Sequence, residues 1–449
     1  MLLNIEELIQ LIQSHLPVYE RARTTVLSKS WQHAWSTNPD LSFPVVRGEN
    51  STELVDRTLK RYLRENISFE KLDLEIDINK WKFSLAEKLI GLIATKTCLK
   101  EFSLSVMSSY LSYDNTFTLS DGLLLCENLT KIRVHGTRRR EDNCVRMTTS
   151  LHPVIKCVSL RELDLYRVSI REEALNHILS SCILLVKIRL EQLNSCNGLK
   201  TIKAKNLPFL YELTIVLRNW YSPALEISNV PNLRVFSYKL WGAWLPFTAN
   251  AHSMSLSNVT ELSLGRVVSD YACLDMITSG FPFLESLTLE LDTWKLESFH
   301  FTCASIKVFS LVCMYKKKLS DIQVFAPKLV SFSFDSWSYI LPDFLFPVSS
   351  LMQIELSLTL NCPVDVYFFV EMRDALTLAP KCNIRITYSN YEVIPLDIDM
   401  DDLRRRLLLP PATNVQQLDF KVHNEHGPSE RSPFFDAFFE ICHPKYVFA

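Results

Sequence analysis

One short apolar unit constrains this chain more than any other feature. The pattern Leu-x-x-Leu-x-Leu, or a conservative variant of it, recurs twelve times. Its copies are Leu99-Phe102-Leu104, Leu129-Ile132-Val134, Leu160-Leu163-Leu165, Leu185-Ile188-Leu190, Leu199-Ile202-Ala204, Leu210-Leu213-Ile215, Leu233-Phe236-Tyr238, Val259-Leu262-Leu264, Leu284-Leu287-Leu289, Ile306-Phe309-Leu311, Leu329-Phe332-Phe334 and Leu351-Ile354-Leu356. They follow one another at intervals of about 22 to 31 residues, except around Leu199 and Leu210, where the interval is compressed.

Two apolar residues separated by one polar residue sit on the same face of a short strand, and the residue between them points the other way. The leucine three positions ahead tucks under the strand from the preceding turn. One such strand cannot fold alone, whereas a stack of them buries a continuous leucine-lined core, with the intervening segments returning as helices or irregular turns. The spacing therefore predicts a leucine-rich-repeat solenoid, an α/β fold built on a curved parallel sheet roughly 60 Å long at about 4.8 Å per strand. Segments 170–179 and 269–278 have helical periodicity and are expected on the outer face. An alternating strand is expected over 70–78, before the first copy, and a helix near 54–62, before that strand. Further along, a helix is expected over 371–378, a strand over 383–388, a loop or linker over 397–411 and one more repeat strand at Val415-Leu418-Phe420.

The first 45 residues read differently. Ile5, Leu8, Ile9 and Ile12 fall at i, i+3, i+4 and i+7, an apolar stripe on one helix that Leu16-Pro17 ends. A second helix has a narrow apolar face of Ala22, Val26 and Leu27. Ser28 is placed to cap a third that carries Trp31 and Trp35, ending at Asn38-Pro39. About 40 residues is near the floor for a self-sufficient core, so this element must pack on something else.

The run Leu16-Pro17, Arg23-Thr24, Val26-Leu27-Ser28-Lys29, Trp31, Trp35, Pro39, Leu41 and Phe43 closely resembles the F-box of plant F-box/leucine-rich-repeat proteins. The ending, Phe434 to Phe439 with Cys442, His443, Pro444 and Tyr446, resembles the closing segment of the same plant subfamily. The resemblance implies a substrate receptor of a Skp1-cullin-F-box (SCF) ubiquitin ligase. The N-terminal three-helix F-box would grip a Skp1-like adaptor, and through it a cullin, while the solenoid holds the protein to be ubiquitinated. On this reading Leu8, Ile12, Leu16, Pro17, Val26, Leu27, Trp31 and Trp35 meet the adaptor. The family opens with Leu-Pro where this chain has Asn4-Ile5. Loss of one buried leucine contact costs roughly 1.5 to 3 kcal/mol, so a weakened grip is expected, partly recovered by Ile5. The organisation expected is an F-box over 1–45, a helical connector and first strand over 46–98, leucine-rich repeats over 99–375, and a terminal repeat-like segment with its cap over 376–449. Two other readings stay open: a repeat module that binds proteins outside any ligase, which Asn4-Ile5 favours, and a receptor that senses a small molecule.

Composition excludes several function classes. With 48 lysines and arginines against 50 acidic residues, no bulk field draws the chain to nucleic acid. The clusters Arg138-Arg139-Arg140, Lys316-Lys317-Lys318 and Arg404-Arg405-Arg406 are short, and solvated loops or helix faces account for them. No apolar run approaches the roughly 18 residues of a membrane span, and a cytoplasmic or nuclear address is expected. The 12 cysteines include no C-x-x-C, and the 9 glycines form no phosphate loop or nucleophile elbow. His423 and His426 have a metal-compatible spacing but lie in a turn-like stretch, and Cys442-His443, adjacent in sequence, makes no catalytic dyad. The expectation is a non-catalytic protein without cofactor or metal.

What the sequence does offer is a surface. Trp220, Trp241, Trp244, Trp294 and Trp337 each follow a repeat strand by a few residues, which would set an aromatic rim for the target along one edge of the solenoid, unless these rings fill wider turns from within. The residues between the paired apolar ones, Ser103, Arg133, Asp164, Arg189, Lys203, Thr214, Ser237, Ser263, Thr288, Ser310, Ser333 and Glu355, are expected on the concave side, charged early in the chain and hydroxylated later.

Overall fold

The computed structural model describes residues 5–16, 18–43, 51–77, 91, 98–108, 117–119, 121–138, 145–147, 153–193, 199–217, 223–240, 256–267, 271–291, 297–313, 319–337, 341–346, 350–360, 364–388, 398–422 and 433–448. The chain forms two compact units, Met1–Leu233 with Ser253–Ser255, and Arg234–His252 with Leu256–Ala449. Both are stretches of leucine-rich-repeat solenoid.

In the first unit the apolar triplets become consecutive parallel strands. These are β1 (Asp40–Phe43), β2 (Lys71–Asp77), β3 (Glu101–Ser108), β4 (Lys131–Arg138), β5 (Glu162–Tyr166), β6 (Lys187–Glu191) and β7 (Glu212–Leu217), each hydrogen-bonded to the next. The pairs Phe102/Leu104, Leu163/Leu165 and Ile188/Leu190 are buried, and the residues between them open to the other face. Register is set at the strand entry, where one carbonyl accepts two amides of the next repeat. Lys100 O takes Thr130 N and Lys131 N, Thr130 O takes Arg161 N and Glu162 N, and Arg161 O takes Val186 N and Lys187 N. A one-residue slip would expose the leucines and break this double acceptance together.

The same rung starts earlier than the repeat pattern does. Pro39 O accepts Glu70 N at 2.8 Å and Lys71 N at 3.1 Å, so Leu41 and Phe43 lie on the first strand of the sheet. The helix α4 (Ser51–Arg64) buries Leu59 and Tyr62, with Tyr62 edge-on to Phe69 at 5.8 Å.

The second unit continues the pattern with β8 (Val235–Leu240), β9 (Glu261–Val267), β10 (Ser286–Leu291), β11 (Val308–Cys313), β12 (Ser331–Ser336), β13 (Gln353–Leu360), β14 (Lys381–Tyr388), β15 (Val415–Val422) and β16 (Tyr446–Phe448), again all parallel. Its core gathers a cluster of phenylalanines around Phe309. Phe309 lies 6.0 Å from Phe299, 5.4 Å from Phe301 and 5.7 Å from Phe332. Two helices close the stack: α7 (Val366–Ala375), which begins five residues and ends three residues before the expected 371–378 and is capped by Asp365 accepting Phe368 N, and α9 (Pro433–Ile441), whose Phe438 packs 5.2 Å from Phe369 and 5.4 Å from Phe420.

Several expectations are corrected. The returning limbs are not only helices and irregular turns: they form three short outer sheets, Phe117–Thr118 with Val145–Arg146 and Val168–Ser169, Thr201–Lys205 with Ala224–Ser228, and Ser298–Thr302 with Asp321–Phe325 and Asp343–Leu345. The copy Leu199-Ile202-Ala204 belongs to one of them. It alternates like a core strand because it too buries alternate residues, and its edge is flanked by α5 (Glu172–Ser181), whose Asn176 bonds Thr201 O and Lys203 N. Setting it aside removes the compressed interval. The other expected outer helix is α6 (Tyr271–Gly280). The expected linker over 397–411 contains α8 (Met400–Arg406), started by Asp399 accepting Asp402 N. Its arginines form a solvated helix face, Arg404 bonding Glu440 and Arg406 bonding Asp402. Burial raises the thiols of Cys313, Cys382 and Cys442 to about 12, leaving them protonated at neutral pH.

Candidate functional site

Two surfaces stand out, one at the N-terminal helices and one on the open face of the sheet. The N-terminal helices are α1 (Ile5–Ser14), α2 (Val18–Arg23), a 3-10 turn at Thr24–Val26, and α3 (Lys29–Ser36), which Ser28 caps by accepting Trp31 N at 3.3 Å. Their interior is small and largely polar. Ile9 and Ala34 are buried there, but so is Gln13, which donates to Thr24 Oγ1 at 2.9 Å and to Trp31 O at 3.3 Å. Arg21 reaches Ser14 O and Leu16 O, supplying the carbonyls at the end of α1 with a donor that helix lacks.

The apolar stripe of α1 is therefore split. Ile9 turns inward, while Ile5, Leu8, Leu11 and Ile12 stay exposed. Val26 and Leu27 do not line a core either: they are 85% and 64% exposed. Leu16, Trp31 and Trp35 are half-buried, and Pro17 lies outside the described residues. Sequence periodicity could not separate the inward from the outward members, because an apolar residue awaiting a partner and one packed in a core obey the same spacing.

These helices are tied to the sheet at the end of α3. Arg61 of α4 donates to Ser36 O at 3.1 Å, Tyr62 Oη to Asn38 O at 3.3 Å, and Asn38 Oδ1 accepts Asp40 N as β1 begins. Glu6 and Gln10 hold α1 to the same corner through Thr37. The exposed apolar patch is thus carried by the end of the repeat stack without an intervening linker after α3.

On the open face, the residues expected between paired apolar positions form continuous rows. In the first unit one row runs Ser103, Arg133, Asp164, Arg189, Thr214. The row beside it alternates in sign, Lys71, Glu101, Lys131, Glu162, Lys187, Glu212, with ion pairs between Lys71 and Glu101, Lys131 and Glu162, and Lys187 and Glu212. At the centre Asp164 lies 3.3 Å from Arg133 and 3.2 Å from His135. Burial alone would raise its carboxyl, but the His135 contact and the charges of Arg189 and Arg133 outweigh burial and hold it below the usual carboxylate range.

In the second unit the corresponding row is Ser237, Ser263, Thr288, Ser310, Ser333, Glu355. Next to it stand Lys239, Gly265, Glu290, Val312, Asp335, Ser357, Arg385 and Asp419. Gly265 has a packing role here: a Cβ on it would sit 2.8 Å from Lys239 Cβ and Cγ, so its absence lets the lysine stem cross β9 toward Glu290, 3.8 Å away. Lys203, expected on the same face, is on the outer sheet instead. Trp337 is exposed at the end of β12; Trp220, Trp241, Trp244 and Trp294 lie outside the described residues, as do His423 and His426. Among the described residues no group of three His, Cys, Asp or Glu side chains is placed to hold a metal, and no helix is long and apolar enough to cross a membrane.

Comparison with known proteins fits this architecture. Residues 199–339 match the family described as "FBD-associated F-box protein At5g56370, LRR repeats". The F-box protein At5g03100 of Arabidopsis thaliana is 25% identical over 290 residues, covering 63% of this chain and 82% of that protein. F-box/LRR-repeat protein At3g03360 of the same plant is 26% identical over 246 residues, 51% of this chain and 45% of its own length. A putative F-box/LRR-repeat protein, At4g15060, is 20% identical over 428 residues and 92% of each chain. The chain thus spans less than half of the second of these relatives and most of the other two. Repeat-model match, relatives and parallel-strand architecture agree: the chain is similar to plant F-box/leucine-rich-repeat proteins, and the family model matches it within its repeats.

Proposed function

We propose that the protein is the non-catalytic substrate receptor of an SCF-type ubiquitin ligase, working in the cytoplasm or nucleus. The N-terminal helices grip a Skp1-like adaptor, and through it a cullin, while the open face of the repeats holds the target. The observation that carries this reading is the exposed patch of Leu8, Ile12, Val26 and Leu27, joined by Ile5 and Leu11, on helices whose interior is polar. Six large apolar side chains left in water on so small an element are a surface waiting for a partner. Catalysis by such a receptor is proximity: a target held near a charged conjugating enzyme reacts as if tethered, so binding alone accelerates transfer. The direct link from α3 into β1 favours this role, because a receptor that positions its target gains from having no slack there.

Co-purification of the full chain with a Skp1-type protein tests the proposal. The chain associates, and Leu8→Asp together with Val26→Asp abolishes association without moving the unfolding midpoint, since both side chains are exposed. Two buried apolar contacts correspond to roughly 3 to 6 kcal/mol, a loss of at least a hundred-fold in affinity. No association of the intact chain, under conditions where a conventional F-box binds, sinks the reading and assigns the disabling change to Asn4-Ile5.

A further inference from the structure

Four adjacent strands of the second unit, β10 to β13, carry Glu290, Asp335 and Glu355 on their open face and contain no lysine or arginine. Among the described residues the bases that reach these carboxylates come from the flanks. Lys239 on β8 approaches Glu290 at 3.8 Å, and Arg385 on β14 is divided between Glu355 at 3.5 Å and Asp419 at 3.7 Å. Among the described residues no cation lies within ion-pair distance of Asp335. Around these carboxylates Ser286, Thr288, Ser310, Ser331 and Ser333 are small and hydroxylated, with Val308 and Val312 beside them on β11. Small side chains let a partner's backbone come close, and their hydroxyls serve its amides and carbonyls in either role.

We propose that this face docks a basic segment of the target protein, with a lysine or arginine side chain entering among Glu290, Asp335 and Glu355 while the segment's backbone lies over the hydroxyl rows. The proposal rests on the target-receptor reading above and specifies the chemistry of the target. Charge complementarity selects this occupant. An acidic segment would add repulsion to carboxylates already short of counter-charge, whereas a cation supplies what the flanking bases do not. The state of Asp335 agrees: burial raises its carboxyl, Glu355 and Glu290 push the same way, and Arg385 and the Ser357 hydroxyl offset them only in part. The row from Lys71 to Glu212 in the first unit, by contrast, alternates in sign and pairs internally.

The test uses the full chain and two labelled synthetic peptides of equal length, one alternating lysine with serine and one alternating glutamate with serine, read by fluorescence anisotropy. The lysine peptide binds and the glutamate peptide does not, and affinity falls as salt rises from about 50 to 300 mM. Asp335→Asn with Glu355→Gln weakens the lysine peptide by about tenfold or more. Glu101→Gln with Glu162→Gln, in the first unit, changes it less than about twofold. Equal affinity for both peptides, an unaffected Asp335/Glu355 variant, equal weakening by the first-unit variant, or no binding of the lysine peptide overturns the proposal. Adaptor co-purification of each variant reports folding and separates the two claims. For the unsubstituted chain, absence of lysine-peptide binding with adaptor binding retained counts against the docking face alone, and failure of adaptor binding with peptide binding retained counts against the ligase role alone.

Discussion

The open faces of the two units share strand geometry, register and rung hydrogen bonds, yet they manage charge in opposite ways. In the first, Asp164 is held below the ordinary carboxylate range by His135, Arg189 and Arg133, and the neighbouring row alternates lysine with glutamate. In the second, Asp335 is pushed above that range by burial and by other carboxylates. A self-neutralising face contributes to holding its own strands in register, while an unbalanced one keeps binding energy in reserve for a partner. The cores differ in parallel, aliphatic around Leu163 and Ile188 and aromatic around Phe309.

The core difference has the largest expected effect. Phe309→Ala, at the centre of the aromatic cluster, lowers stability by about 3 to 5 kcal/mol, whereas Ile188→Val in the first unit costs about 0.5 to 1.5 kcal/mol. Urea denaturation checks both, and comparable losses would erase the distinction. Next comes Asp164→Asn, which leaves Arg133 and His135 facing a neutral group and costs about 1 to 3 kcal/mol at neutral pH. Because the folded pKa of Asp164 is depressed, its stabilisation is present above the unfolded value near 4 and is lost as pH falls through the folded one. The variant should therefore lie furthest from wild type at neutral pH and converge on it in acid.

Asp335→Asn should act with the opposite sign. A raised folded pKa means that the ionised form destabilises above that pKa and that the penalty disappears as pH falls toward the unfolded value. The variant gains stability at neutral pH, read as a higher midpoint that wild type regains in acid. A loss at neutral pH would show that the second face is balanced as well. The smallest effect belongs to the exposed pair Lys71 and Glu101: Glu101→Gln shifts stability by less than about 1 kcal/mol, and raised salt removes the shift. A larger change would make the alternating row a stability element of the first unit.

Much of this was legible in the sequence. The period-2 alternation of Leu163/Leu165 or Phe309/Leu311 names both the strand and its buried face, because only one arrangement of a strand hides both side chains. The run from Leu16 to Asn38 marks the N-terminal helices, whereas Leu41 and Phe43 join the sheet as β1, and Ser28 marks the start of α3. Other features were not readable. Leu199-Ile202-Ala204 obeys the strand rule, but which sheet a strand joins depends on what flanks its edges, here the strand Ala224–Ser228 and α5. α8 was hidden because its seven residues are dominated by charges, and its buried anchor is Leu403 alone. Spacing put Val26 and Leu27 on one apolar face, and their assignment to an adaptor came from the resemblance, since spacing records that residues share a face and is silent on what that face meets.

The sequence by itself determined the repeat, the parallel strands and the residues that fill the core, because burial of regularly spaced apolar side chains has few solutions. The tertiary structure decided which apolar residues remain outside, where β1 begins, and which carboxylates find counter-charges. Those depend on neighbours far away in the chain: Asp164 meets Arg133 and Arg189 only once three repeats are stacked, and Asp335 is left without a close cation by the composition of the strands that flank it.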